Sequence, residues 1–163
     1  YGLNGIKRSA QEYVDGKQHG RIVTWHPNGE VQTEGRLVDG LFDGEFHQYS
    51  SEGKLLGSYV MKKGSGTLKR WRNNGSLQLE AVYTEGKSNG LRRQFYASGK
   101  PMSEGIMVGG KMDGLWTFYG ATGTVDSSVC YEAAPTAHSR QLWRQKKAAD
   151  LACPPGPNTA QAE

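Results

Sequence analysis

Glycine recurs at fixed spacings along the chain, and this regularity limits the possible folds more than any other feature. A step of nine residues separates two glycines in each of five places, from Gly20 to Gly29 first and from Gly114 to Gly123 last. A step of eleven residues then leads to a third glycine, as from Gly29 to Gly40. The resulting period is 24 residues, with one unit of 22, which is typical of repeat architectures. Units begin near residues 16, 40, 64, 86 and 110, with a half unit at residues 4–15.

Apolar and aromatic residues follow the same period. An aromatic residue lies five positions after the first glycine of each nine-residue step: Trp25, Tyr49, Trp71, Phe95 and Tyr119. The residue two positions after that glycine is apolar in four units, as Ile22, Phe46, Leu68 and Trp116, and is Arg92 in the other. We interpret the aromatic column as part of the core, because stacked repeats bring equivalent side chains together.

Each unit is predicted to form a β-hairpin. Asn28-Gly29 and Asn74-Gly75 are tight-turn dipeptides, because both residues tolerate a positive φ. The Gly-Lys-x-x-Gly segments supply the second turn and leave no room for crossover helices, so neighbouring strands must be antiparallel. Residues 1–131 therefore predict an all-β fold, a meander of about eleven short strands that strand twist coils into an open sheet.

The chain after the repeats has a different character. Residues 132–153 predict a C-terminal helical cap, with good helix formers over 138–151. Such a helix is suited to covering the last open strand, which otherwise exposes unpaired backbone groups. Residues 154–163 predict a disordered tail.

The Gly-Lys-x-x-Gly-x-x-x-x-aromatic-x-x-x-Gly runs at 16–29 and 86–99 resemble the MORN repeat (membrane occupation and recognition nexus). The resemblance covers residues 4–131, with departures at the 22-residue unit after Gly64 and at Pro101. The 24-residue unit is similar to the bacterial variant of this repeat. That variant occurs in antitoxin and immunity proteins of bacterial toxin systems and in envelope proteins, so the resemblance implies a binding role.

Catalytic motifs are not recognisable. Gly86-Lys87-Ser88 resembles the end of a phosphate-binding loop, but Ala81 stands where that motif needs another glycine. The four histidines have no zinc-site spacing, and no nucleophile and base recur in a strand–turn–helix context. Three acidic residues beside turn glycines are expected to serve the turns: Asp39, Asp43 and Asp113. The sequence predicts a protein without catalytic residues, metal or cofactor.

Positive charge is concentrated in the middle of the chain. Residues 62–93 have a net charge of +6, whereas the whole chain has +4. The candidate partner-binding residues are Lys69, Arg70, Arg72, Arg92 and Arg93. Strand alternation places Lys69 with Trp71 on one face and Arg70 with Arg72 on the other. The alternative is a solvated surface, although Arg92 replaces an apolar residue and predicts an ion partner or an exposed site there.

Three functions remain open. The first is a protein-binding module, specifically an immunity protein or antitoxin that neutralises a cognate toxin or secreted effector. The second is a membrane-surface module held to anionic lipid by the basic stretch. The third is a structural envelope protein or an appendage of a larger one. No nucleic-acid partner is expected, since such proteins usually carry more positive charge; the oligomeric state stays open.

Two cysteines bear on the compartment. Cys130 lies in the last repeat and Cys153 follows the predicted helix. A disulfide between them would pin the cap, and closing a loop of about 23 residues adds about 3 kcal/mol in the chain-entropy model. Such a bond requires an oxidising compartment. Because the chain begins at Tyr1 rather than Met, we expect a periplasmic or cell-envelope protein; two unlinked thiols in the cytoplasm are the alternative.

Overall fold

The computed structural model describes residues 9–131, and their regular structure is entirely β. The strands in chain order are β1 Ser9–Ala10, β2 Tyr13–Val14, β3 Lys17–Gln18, β4 Gly20–Trp25, β5 Val31–Val38, β6 Leu41–Phe42, β7 Gly44–Tyr49, β8 Leu55–Lys62, β9 Ser65–Trp71, β10 Leu77–Thr84, β11 Lys87–Phe95, β12 Pro101–Val108, β13 Lys111–Tyr119 and β14 Val125–Tyr131. The predicted helix over 138–151 and the predicted tail at 154–163 lie outside the described residues. Between residues 9 and 131 there is no helix that could cross a membrane.

One open antiparallel sheet dominates the structure. Its hydrogen-bonded order is β1-β4-β5-β7-β8-β9-β10-β11-β12-β13-β14, with β6 paired to β5, while β2 and β3 form a separate ribbon. Neighbouring strands are antiparallel along the whole path. The all-β meander predicted from the glycine spacing is confirmed.

Two kinds of turn alternate along the meander. The turn before each Gly-x-x-x-Gly segment has two consecutive residues with positive φ, as at Asp39 (52°) and Gly40 (81°), which is the type I′ geometry. At Asn28-Gly29 only the glycine has a positive φ, of 91°. There the His26 carbonyl accepts from the Gly29 N–H at 3.0 Å and the His26 N–H donates to the Glu30 carbonyl at 2.8 Å. This is a three-residue loop closed by a glycine bulge.

The tight turns predicted at the Asn-Gly pairs are present, with the positive φ carried by the glycine alone. Asn28 and Asn74 are absent from the positive-φ residues of the described chain. Their side chains act instead: the Asn28 Oδ1 accepts from the Glu30 N–H at 3.2 Å, and the Asn74 Oδ1 accepts from the Ser76 N–H at 3.1 Å. Asparagine is used at these turns as a local hydrogen-bond acceptor.

Aromatic rings pack on glycines that have ordinary strand geometry. The ring of Phe46 lies 2.1 Å from where a Cβ on Gly35 would sit, and the ring of Trp116 lies 2.3 Å from that point on Gly105. No Cβ fits at such distances, so glycine is required for the close approach. The buried apolar side chains are Val23, Leu37, Phe46, Met61, Ala81, Ile106, Met107 and Trp116.

The predicted aromatic column is only partly core. All five of its members are half-buried, and the most buried rings, Phe46 and Trp116, come instead from the column two residues after the glycine. Two members of the aromatic column are tyrosines whose hydroxyls bind carboxylates: Tyr49 donates to Glu34 and Tyr119 donates to Glu104.

Side chains join each repeat to the next at one end of the strands, near the turns of the Gly-x-x-x-Gly segments. A short polar side chain before the second glycine of the Gly-x-x-x-Gly segment accepts a backbone N–H twenty residues on. The Asp43 Oδ1 accepts from the Lys63 N–H at 2.8 Å, and the Asn89 Oδ1 accepts from the Gly109 N–H at 2.5 Å. The expectation that Asp43 serves a turn is confirmed. Lys87 begins β11 directly after a turn, which is a strand and not the helix of a phosphate-binding loop.

A second set of contacts joins the repeats at the opposite end of the strands. Here a side chain reaches the backbone carbonyl of the aromatic-column residue 23 positions on. His26 contacts the Tyr49 carbonyl at 2.9 Å, Gln48 donates to the Trp71 carbonyl at 2.6 Å, Arg72 donates to the Phe95 carbonyl, and Tyr96 donates to the Tyr119 carbonyl at 2.8 Å. The contacts at the two ends of the strands together fix the relative position of consecutive hairpins.

Candidate functional site

The strand register distributes the predicted cationic residues over two faces of the sheet. Lys69, Glu80, Arg93 and Glu104 lie directly across from one another on β9 to β12. We call this row the ion-pair face. Residues next to them in sequence point to the opposite side, which we call the arginine face and define by Arg70, Leu79, Ala81, Arg92 and Gln94. The five candidate residues therefore do not form one patch.

Cations on the ion-pair face are paired with carboxylates. The Lys69 Nζ lies 3.4 Å from the Glu80 Oε1, and the Arg93 Nε lies 3.4 Å from the Glu104 Oε2. Cation and anion alternate along the row, so local charges cancel. Lys69 and Arg93 are thus neutralised by carboxylates on the same face, and their role in partner binding stays a prediction.

Tyrosines extend this pairing at two related positions. The Tyr119 hydroxyl donates to the Glu104 Oε1 at 2.8 Å, and burial together with this hydrogen bond raises the pKa of Tyr119 to about 12. The Tyr49 hydroxyl donates to the Glu34 Oε1 at 2.7 Å. That bond, followed by the one from Arg21, lowers the pKa of Glu34. Sequence reasoning missed these pairs, although a carboxylate stands fifteen residues before each tyrosine.

The arginine face has a shallow depression with uncompensated positive charge. Its cavity volume is about 160 Å³, and its lining residues are Arg70, Arg72, Gln78, Leu79, Arg92, Gln94, Phe95 and Met102. Within residues 9–131 no carboxylate lines it. We call this site the arginine depression. Three of the five predicted partner-binding residues meet in it.

The three arginines are held in different ways. Arg72 donates to the carbonyls of Leu77, at 3.1 Å, and Phe95, so its guanidinium is fixed and also serves the contacts between repeats. Arg70 and Arg92 form no ion pair or hydrogen bond with the residues that the structure describes. The sequence raised an ion partner or an exposed site for Arg92, and the half-buried guanidinium has no carboxylate partner within residues 9–131.

The arginine depression is lined by Arg92, which replaces the apolar residue found at this position in the other units. In the register Arg92 lies between Ala81 and Gly105, both small residues. At equivalent positions Phe46 and Trp116 place a ring over the glycine of the neighbouring strand. The residue equivalent to those glycines on the strand before Arg92 is Ala81, while Gly105 on the strand after it is already covered by the Trp116 ring. The Arg92 side chain lines the depression.

A second cavity adjoins the arginine depression. Its volume is about 360 Å³; we call it the aromatic gap. Its apolar walls include Phe46, Tyr59, Leu68 and Tyr83, and its polar rim includes Glu34, His47 and Lys69. Arg70 lines both cavities. Phe46 and Tyr59 stack with ring centroids 5.3 Å apart, and burial raises the pKa of Tyr59 to about 12, although the charge of Arg70 opposes the shift.

The aromatic gap lies where two strands separate. The β8–β9 ladder has only two register pairs, Met61 with Gly66 and Lys62 with Ser65. The Gln48 side chain takes over part of the missing ladder: its Oε1 accepts from the Trp71 N–H at 3.0 Å, and its Nε2 donates to the Trp71 carbonyl at 2.6 Å. The opening is thus a feature held by specific contacts.

The remaining site predictions are placed as follows. Cys130 lies on β14, across from Leu115. Cys153 lies outside the described residues, so the disulfide stays a prediction. Within residues 9–131 no group of His, Cys, Asp and Glu side chains is arranged to hold a metal ion.

These features define a repeat protein built from antiparallel hairpins, with two faces of different charge chemistry. Residues 88–107 match the family model described as MORN repeat variant. This match supports the MORN-repeat identity of the unit that contains Arg92, and the same glycine spacing extends through the other units. No curated protein matches the chain.

Proposed function

We propose that this chain is a non-enzymatic module that binds an acidic protein partner through the arginine depression. The observation that supports it is the contrast between three arginines without a carboxylate on one face and fully paired cations on the other. Arginine presents a rigid fork of donors that matches carboxylate oxygens. It is also among the residues that contribute most to binding energy at protein interfaces.

The scaffold suits such a role. Consecutive hairpins are joined by repeated side-chain contacts at both ends of their strands. Arg72 is fixed by hydrogen bonds to two backbone carbonyls. A surface that is already ordered loses little conformational entropy when it binds. The specific form we propose is an immunity protein or antitoxin that blocks a toxin or secreted effector, as the MORN-variant resemblance implies. A periplasmic or envelope location follows only if the Cys130–Cys153 bond forms.

The arrangement is less suited to an anionic membrane. Each cation near an anionic surface contributes only about 1 kcal/mol, and the unpaired cations sit in a depression, whereas a bilayer is flat. A lipid-binding role and a purely structural envelope role therefore rank behind protein recognition.

Matched double variants test the proposal. Affinity capture from the native host identifies a partner, and binding is then measured with both purified proteins. Arg70→Gln/Arg92→Gln should weaken binding at least tenfold. Lys87→Gln/Arg93→Gln also removes two charges, but from outside the arginine depression and the aromatic gap, and should leave affinity within twofold. Equal losses in both variants would refute the proposal. Binding only to vesicles containing 30% phosphatidylserine would favour the membrane alternative.

A further inference from the structure

The arginine depression and the aromatic gap are neighbouring parts of one surface. Arg70 on β9 lines both of them. From Arg70 the apolar walls extend toward β7 and β8 through Phe46 and Tyr59, and the charged walls extend toward β11 through Arg92. We infer that the two form one bipartite site for a partner segment that carries an apolar anchor beside a pair of carboxylates. This inference rests on the proposed function and specifies the chemistry of the partner.

The aromatic gap has the size and lining of a side-chain pocket. Ligand pockets hold roughly 300–1,000 Å³, and this cavity of about 360 Å³ is at the small end of that range, with aromatic and aliphatic walls beside polar groups that include Glu34 and Lys69. Its volume suits one large side chain. Because Gln48 holds Trp71 through both backbone groups, the opening exists before any partner arrives.

The sheet spacing sets the distance between anchor and carboxylates. Arg70 and Gln94 are in register on two strands that flank β10, so they lie about 10 Å apart, since neighbouring strands are about 4.8 Å apart. The aromatic gap lies on the side of Arg70 away from Gln94, between β9 and the strands β7 and β8, so its centre is also about two strand spacings from Arg70 or less. A segment crossing the strands therefore places its anchor about three extended residues from its nearer carboxylate.

Charge complementarity identifies a partner protein as the occupant. Within the chain itself, residues 138–151 contain Leu142 and Trp143 but carry four Lys or Arg and one Asp. Residues 1–8 contain Lys7 and Arg8 and no acidic residue. Neither segment supplies a pair of carboxylates for Arg70 and Arg92, so an acidic segment of another protein is the complementary occupant.

Synthetic peptides test the bipartite site in the full-length protein. The probe is a fluorescein-labelled peptide, Gly-Ser-Phe-Gly-Ser-Asp-Asp-Gly-Ser, measured by fluorescence polarisation at low salt. Its Phe→Ala and Asp-Asp→Asn-Asn versions should each bind at least tenfold more weakly. Arg70→Gln/Arg92→Gln should remove the preference for Asp over Asn, whereas Leu68→Ala, which enlarges the gap, should reduce only the preference for Phe over Ala. Thermal melting verifies that each variant is folded.

The outcomes separate this inference from the proposed function. If the Phe and Ala peptides bind equally while the Asp preference depends on Arg70 and Arg92, the bipartite site is refuted and the proposed function stands. If Lys87→Gln/Arg93→Gln removes the Asp preference instead, both fail. Self-association that Arg70→Gln/Arg92→Gln abolishes would identify a second copy as the occupant and overturn the inference. Tenfold tighter peptide binding by Trp143→Ala would overturn it too, because the gap would then hold the chain's own segment.

Discussion

The two faces of this sheet use the same strands for opposite purposes. On β11, Arg93 is paired with Glu104 at 3.4 Å, while the adjacent Arg92 borders a hollow without a carboxylate partner within residues 9–131. On β9, Lys69 and Arg70 differ in the same way. Because side chains alternate along a strand, a run of basic residues divides into two environments. The net charge of the run therefore does not measure the charge available to a partner.

The two faces also differ in what they contribute to the free energy of folding. Partly exposed ion pairs contribute about 0–1 kcal/mol each, so the ion-pair face is stabilised weakly at several places. The arginine face holds three cations around one hollow, and like charges that lie close together oppose folding. Arg92, which has no carboxylate partner within residues 9–131, stands at a position that is apolar in the other repeats, and the comparison can be tested with single substitutions.

The largest effect on stability is expected from a substitution that disrupts the packing beneath the arginine face. Gly105→Ala places a Cβ 2.3 Å from the Trp116 ring. That ring is 2% exposed and donates to the Ile106 carbonyl at 3.0 Å, so it has little freedom to move. We expect a loss of about 1–3 kcal/mol in the free energy of unfolding, as for other overpacked cores. Chemical denaturation measures it.

A matched substitution provides the control. Ser58→Ala, at an exposed position of β8, should change stability by less than about 0.5 kcal/mol, as is usual for surface changes. If Gly105→Ala unfolds at the same denaturant concentration as the parent chain, the ring does not depend on the glycine, and the account of this face is wrong.

The second expected effect sharpens the difference between adjacent arginines. Arg92→Leu restores an apolar residue over Ala81 and removes a cation from the arginine depression. We expect a gain of about 1 kcal/mol in stability, since burying a leucine side chain contributes about 1.5–3 kcal/mol when complete, and a loss of partner binding. Arg93→Leu deprives Glu104 of its cation, so its melting temperature should fall with binding retained. Differential scanning calorimetry measures the melting temperatures of the two variants. A lower melting temperature for Arg92→Leu, or a higher one for Arg93→Leu, would contradict the assignment of faces.

The sequence predicted the fold well because glycine spacing is a local signal. Positive φ values at Gly29, Gly53 and Gly75 follow directly from their turn positions. The alternation of Lys69 and Arg70 between faces followed from the strand period alone. Glycines such as Gly35 and Gly105 were not recognised as packing sites, because their requirement comes from a ring on the neighbouring strand.

The candidate site was harder to predict, because it depends on register. Strand alternation predicted the division of Lys69 and Arg70 between two faces, but the pairing with Glu80 and Glu104 is visible only once the strands are aligned. Arg72 was identified as a binding residue, whereas its contact with the Phe95 carbonyl connects two repeats. The aromatic gap lies where the β8–β9 ladder shortens, beside the 22-residue unit after Gly64 that stands out in the sequence; the unit length alone did not predict a cavity there.

The smallest expected effect concerns pH and the carboxylates paired with tyrosines. Hydrogen bonds from Tyr49 and then Arg21 lower the pKa of Glu34 in the folded protein. A lowered folded pKa contributes stability above the unfolded value of 4.5, and this contribution is lost as pH falls below it. Tyr49→Phe removes the largest cause, so its melting temperature should fall less steeply below pH 4.5 than that of the parent chain.

Tyr119 provides the opposite sign on the same sheet. Burial and Glu104 raise its pKa from 10.0 to about 12. The folded state therefore retains the phenol proton after the unfolded state has lost it, and stability present below pH 10 is lost as pH rises toward about 12. Tyr119→Phe should flatten this alkaline decline, while Tyr49→Phe should flatten the acid one. Melting curves across both ranges measure the two slopes. Unchanged slopes in both variants would show that these hydroxyls do not control the carboxylates beside them.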